Sequence, residues 1–112
     1  MADVRITLGP AGGNSLKPKE DQHTKGGITS VPEGSTVTFG VEPGLTGTTV
    51  DFQNGTPFNS PSVGYNTSHS LRDSLFVAGK RTAFRYRCRA KGPNGEPLEG
   101  EGGGGEIEII KN

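Results

Sequence analysis

The stretch Phe84-Arg85-Tyr86-Arg87-Cys88-Arg89 decides the fold class, because apolar and basic residues alternate along it without a break. Successive side chains of a β-strand point to opposite faces of the sheet, so a period of two separates the two sets. The stretch therefore predicts a half-buried strand with the arginines on its outer face. Cys88 is expected to point inward with Phe84 and Tyr86.

Runs with the same period lie on both sides of this stretch and are separated by glycine and proline turns; they fall at 4–8, 37–41 and 107–109, with shorter apolar runs at 28–31, 50–52 and 75–77. No window of ten residues repeats apolar side chains at the spacing of three and four that a helix requires. The chain of 112 residues is therefore predicted to form one all-β domain, residues 1–112, built as a β-sandwich.

Three segments lack any periodicity and are predicted to be long loops. They cover residues 9–27, 56–74 and 92–105, where many of the 19 glycines and 8 prolines fall. A short strand is expected within the second segment, near 62–65. None of the three carries a motif that identifies a small-molecule ligand, and the glycine run at 102–105 lacks the Lys-Ser/Thr and the helix of a phosphate-binding loop.

The charge balance argues against some partners. Lysine plus arginine and aspartate plus glutamate number 12 each, so the net charge is zero and nothing favours general nucleic-acid binding. The same balance does not oppose self-association. No apolar run is long enough to insert in a membrane, and residues 1–4 carry no signal-peptide pattern. Both a cytoplasmic protein and an exported domain whose signal has been removed remain open.

The inventory of reactive side chains predicts a protein that is not an enzyme and binds no cofactor. A single cysteine cannot form an intrachain disulfide or a cysteine-based zinc site. The chain contains no arrangement that suggests a Ser/His/Asp set or paired acid–base carboxylates in apolar surroundings.

Three segments together resemble the cupredoxin family. Residues 33–39 resemble its Gly-x-x-Val-x-Phe strand entry, residues 77–88 its penultimate strand ending in Phe-x-Tyr-x-Cys, and residues 105–109 its closing strand. The resemblance covers about the C-terminal two thirds of the chain, in the right order. It implies a Greek-key β-sandwich of about seven or eight strands with long Gly/Pro-rich loops.

The same resemblance argues against copper. Members of the family hold the metal with one Cys, two His and usually an axial Met. Position by position, Cys88 matches the thiolate ligand, but the first histidine position is occupied by Phe58, within Pro57-Phe58-Asn59. No histidine follows at 89–95, and no methionine occurs at 101–104.

Two candidate sites remain. Cys88 with His69 would make a rearranged metal or redox site, although two donors are few and core packing is favoured for the thiol. Arg85, Arg87 and Arg89 form either a partner-binding stripe or cross-strand pairs with Glu106 and Glu108, and pairing is favoured. Tyr65 belongs to the same candidate interaction surface.

The sequence therefore predicts a non-catalytic binding or structural module that contacts a protein partner or a second copy through loops or an edge strand. One alternative is the metal-binding or redox protein with Cys88 and His69. The other is a carbohydrate- or surface-binding sandwich that uses Tyr65 and the polar segment 56–74.

Overall fold

The computed structural model describes residues 3–10, 15–52, 55–71, 81–100 and 105–110, and all its regular elements are strands. The strands are β1 Asp3–Pro10, β2 Ser15–Pro18, β3 Thr24–Lys25, β4 Ile28–Pro32, β5 Thr36–Val41, β6 Thr46–Asp51, β7 Ser62–Val63, β8 Ser68–Ser70, β9 Arg81–Lys91, β10 Pro97–Gly100 and β11 Gly105–Ile110. The all-β prediction is confirmed, and the described residues contain no helix able to cross a membrane. The predicted run at 75–77 lies outside the described residues.

Strand β9 is the longest of the described strands and pairs with three others. Its first half pairs with β11 and its second half with β10 and β6, all antiparallel. The hydrogen-bonded order is β3-β4-β11-β9-β10-β2-β1-β5-β8, and β6 carries β7. The pairs β1–β5, β4–β11 and β2–β10 are parallel, so the sheet is mixed.

The sheet folds into two layers that pack face to face. The Phe39 ring on β5 meets the Tyr86 ring on β9 edge-on, with centroids 5.3 Å apart. Phe52 and Phe58 complete this aromatic cluster, and all four rings are buried. Aliphatic side chains of β1, β4, β5 and β11 extend the core on both sides. The β-sandwich prediction is thus supported by a core that lies between the two layers.

Several short strands lie where the sequence predicted loops. Strands β2 and β3 fall within 9–27, and β10 falls within 92–105. Within 56–74, a strand was expected near 62–65; β7 occupies 62–63, and β8 follows at 68–70. These elements have two to four residues, too few for a period of two to emerge, and long-range pairing defines them. The described residues therefore contain eleven strands, more than the seven or eight that the cupredoxin resemblance implied.

Candidate functional site

Cys88 lies on the inner face of β9, as the alternating pattern predicted. Its side chain is 0% exposed and faces the core, and Val50 of β6 is its neighbour in register. Burial raises the pKa of the thiol to about 11, because an apolar interior disfavours the thiolate. At neutral pH the sulfur is therefore a protonated core group, whereas metal binding and nucleophilic chemistry both need the thiolate.

The residues around Cys88 do not form a copper-type donor set. Phe58, at the position where the resemblance expected histidine, is 2% exposed and packs edge-on against Phe39 and Phe52. The ring of His69 lies 5.6 Å from that of Phe58, and its Nε2 is 3.1 Å from the Gly64 carbonyl oxygen. Within the described residues, no three His, Cys, Asp or Glu side chains gather closely enough to hold a metal ion.

A stability measurement at alkaline pH tests the buried state of Cys88. The folded pKa of about 11 exceeds the ordinary value of 9.0. Raising the pH between these values therefore ionises the unfolded thiol first and lowers the free energy of unfolding. We expect a decline of about 2 kcal/mol from this group by about pH 11, measured by urea unfolding. Tyrosines also titrate in this range, so the Cys88→Ser variant, which lacks the thiol, is the control. If the free energy of unfolding fell equally with pH in both proteins, the result would contradict the burial of the Cys88 thiol.

The outer face of β9 carries the arginine stripe, defined as Arg85, Arg87 and Arg89. Arg85 Nε lies 3.5 Å from Glu106 Oε1 on β11, which is its partner in register. Arg89 Nε lies 3.6 Å from Glu99 Oε1 on β10, again opposite in register. Both arginines are largely exposed, at 79% and 47%, so solvent screens these pairs and each stabilises the fold little.

The predicted pairing with glutamates is only partly met. Glu106 pairs with Arg85 as expected, but Glu108 lies opposite Ala83 and not opposite an arginine. The register of β9 and β11 explains this, because Glu106 faces Arg85 and the next position on the same face of β11 therefore faces residue 83, beyond the end of the stripe. The sequence pattern does not identify Glu99 as a partner, because it predicts a loop over residues 92–105. The Asn94-Gly95 dipeptide, a hairpin signal, could have indicated it.

Arg87, at the centre of the stripe, has no acidic partner of this kind in the part of the chain that the structure describes. Its side chain is half-buried, yet no carboxylate among the described residues lies within ion-pair distance of its guanidinium. Asp51 of β6 is opposite in register, but its carboxylate accepts hydrogen bonds from Ser62 Oγ at 2.5 Å and Thr49 Oγ1 at 3.3 Å. The described registers of β10 and β11 stop at Arg89 and Tyr86, so neither strand pairs with Arg87.

The Tyr65 hydroxyl lies between backbone carbonyl groups of β6 and β9. It donates to the Arg89 carbonyl at 2.8 Å and lies 3.2 Å from the Thr49 carbonyl, beside a bulge at Thr48. The ring covers Gly47, where an added Cβ would lie 2.4 Å from it. Burial raises the pKa of the Tyr65 hydroxyl above its usual range, and neighbouring Cys88 adds to this. The side chain is half-buried, and its hydroxyl is already used inside the fold.

A half-open cleft of about 610 Å³ lies beside β2, in the segment where no ligand motif was recognised. Its apolar lining comes from Pro10, Leu16 and Pro18. Its charged groups are largely satisfied internally, since Lys19 Nζ lies 2.7 Å from Glu42 Oε1 and Glu20 accepts a hydrogen bond from the Gly26 amide. The cleft is large enough for a small molecule, but its lining residues do not present a group of unpaired polar atoms that would indicate a ligand.

Comparison of the chain with protein-family models, with curated proteins and with solved structures finds no match in any of the three.

Proposed function

We propose that the chain is a non-catalytic protein-binding or structural module, built on a cupredoxin-like Greek-key β-sandwich whose copper site is replaced by core packing. The observation that carries this proposal is the state of Cys88, which is fully buried and protonated at neutral pH. In this proposal the scaffold acts through its surfaces and not through a reactive centre.

The arrangement of the strands supports the cupredoxin-like part of the proposal. Residues 36–41 and 81–91, which carry two of the three resembling segments, form strands that pack against each other across the core. The closing segment forms β11 and pairs with β9. The parallel pairs β1–β5 and β4–β11 require connections that cross the structure, which is compatible with a Greek-key path.

The charged outer face of β9 supports the binding part. This strand has neighbours on both edges, so the arginine stripe presents a sheet face and not a free edge. Charged residues on this face come from four strands with both signs interspersed, because Asp51, Glu99 and Glu106 flank the arginines. Such a surface favours a partner with a complementary pattern and gives no general attraction to polyanions.

Titration of the purified protein with Cu(II) tests this function. A copper–thiolate site produces an intense visible charge-transfer band, and a buried protonated thiol should produce none. We expect identical visible spectra for the wild-type protein and the Cys88→Ser variant across the titration. An intense band that the substitution abolishes would overturn the proposal in favour of a rearranged site that includes His69.

The oligomeric state distinguishes a structural module, which assembles with copies of itself, from a module that binds a different protein. Light scattering over a wide concentration range measures whether the chain associates with itself. Concentration-dependent assembly supports the structural form, and a strict monomer removes that form and requires a different protein as partner.

A further inference from the structure

We infer that Arg87 is the carboxylate-binding centre of the interaction surface, and that its partner is a protein presenting an aspartate or glutamate side chain. The inference deepens the proposed function and rests on it. Within the stripe, Arg85 and Arg89 each have a glutamate oxygen near their Nε, at 3.5 and 3.6 Å. Arg87 lies between them and has no acidic side chain at such a distance in the described residues.

Among the described residues, no carboxylate lies within ion-pair distance of the Arg87 guanidinium. The nearest acid by register, Asp51, is held by the hydroxyls of Ser62 and Thr49, and its two carboxylate oxygens each accept one of these bonds. Arg87 is also less exposed than the other two arginines, because it is half-buried. A guanidinium has five N–H donors in a planar fork, and partial burial strengthens any hydrogen bond it makes.

The charges around the site favour a carboxylate over a phosphate. Asp51, Glu99 and Glu106 surround the stripe on three strands, so a dianion or polyanion approaching Arg87 would be repelled by several carboxylates. A singly charged carboxylate matches the planar fork in two parallel hydrogen bonds and meets less of this repulsion.

The position of Arg87 outside the cleft favours a protein over a free small acid. Arg87 lies on the open face of a sheet and not in the cleft, whose lining residues belong to other strands. A small molecule would gain one bidentate contact there and little burial. A protein partner would also cover the exposed pairs of Arg85 and Arg89, which then form the polar rim of an interface.

Nuclear magnetic resonance of the arginine Nε–Hε groups tests the inference on the full chain. The probes are the blocked tripeptide acetyl-Ala-Glu-Ala-amide, its glutamine counterpart, and inorganic phosphate. The glutamate peptide supplies only the central contact of the interface, so we expect it to shift the Arg87 signal progressively, at least about tenfold more per unit of peptide concentration than the glutamine peptide. The signals of Arg85 and Arg89 should move less, and phosphate should shift Arg87 less than the glutamate peptide does.

Two variants complete the test. Arg87→Lys keeps the charge but lacks the fork, and should lose the preference for glutamate over glutamine; Arg85→Lys should retain it. An unmoved Arg87 signal, equal shifts of all three arginines, or a larger response to phosphate would each overturn the inference. These outcomes are independent of the copper titration. A copper–thiolate band together with a glutamate-selective shift of the Arg87 signal would remove the proposed function alone. No copper–thiolate band together with an unmoved Arg87 signal would remove this site alone.

Discussion

Replacing Phe39 by alanine is expected to lower the free energy of unfolding by about 3–5 kcal/mol, because the variant loses a buried ring and leaves a cavity. The Phe39 ring is 0% exposed and joins the two layers of the sandwich. It meets Tyr86 at 5.3 Å and Phe58 at 6.4 Å between centroids, both close to edge-on. Such a loss is a large share of the roughly 5–15 kcal/mol that stabilises a typical domain.

Equilibrium unfolding in urea measures this effect, and Phe39→Leu is the matched control. Leucine keeps most of the apolar volume, so the control should lose clearly less stability than the alanine variant. An alanine variant that loses less than about 1 kcal/mol, with an unchanged dependence on urea, would show that Phe39 is not packed between two layers.

Replacing Gly47 by alanine is expected to lower the free energy of unfolding by about 1–3 kcal/mol, through a steric conflict with Tyr65. The added Cβ would lie 2.4 Å from both Cγ and Cδ1 of Tyr65, near the base of the ring, where the side chain cannot simply swing away. Moving the ring would also strain the hydrogen bond from its hydroxyl to the Arg89 carbonyl, 2.8 Å long. Glycine is needed here for close approach.

A double-mutant cycle isolates this conflict. In a Tyr65→Ala background the ring is absent, so Gly47→Ala should be close to neutral or slightly stabilising, since alanine restricts the unfolded chain. Chemical denaturation of the wild type, the two single variants and the double variant gives the coupling free energy between the two positions. The same cost in both backgrounds would contradict the packing of Tyr65 on Gly47.

The regular parts of the fold were predictable because they follow from a local rule. The period of two in residues 84–89 correctly placed Cys88 inside and the arginines outside. The same rule found β1, β5 and β11. Strand β2 has a single buried aliphatic residue, Leu16, between polar and proline neighbours, and only its pairing with β1 and β10 makes it a strand.

The candidate site was less predictable, because its character depends on register. The pairing of β9 with β11 and with β6 determines which acidic side chain faces which arginine. The residue pattern within a single strand does not reveal the register of either pair. Tyr65 shows the same limit. Its polar neighbours in sequence suggested a surface residue, but contact with Gly47 and with the Arg89 carbonyl makes it half-buried.

The buried Tyr86 hydroxyl is a feature that no sequence pattern could have shown. It lies in the core with no hydrogen-bond partner among the described residues, against the backbone of Gly105. Burial raises the pKa of this phenol well above its usual range. The side chain therefore contributes a neutral ring to the core, in keeping with a centre built for packing.

We propose that packed side chains fill the position in this sandwich that matches the copper site of the cupredoxins it resembles. A crystal structure of the chain grown in Cu(II), with anomalous diffraction recorded at the copper edge, tests this most directly. We predict Phe39 and Tyr86 in contact across two facing layers, and no copper bonded to the Cys88 sulfur. A copper peak within bonding distance of that sulfur, or sheets that do not face each other at these rings, would contradict the account.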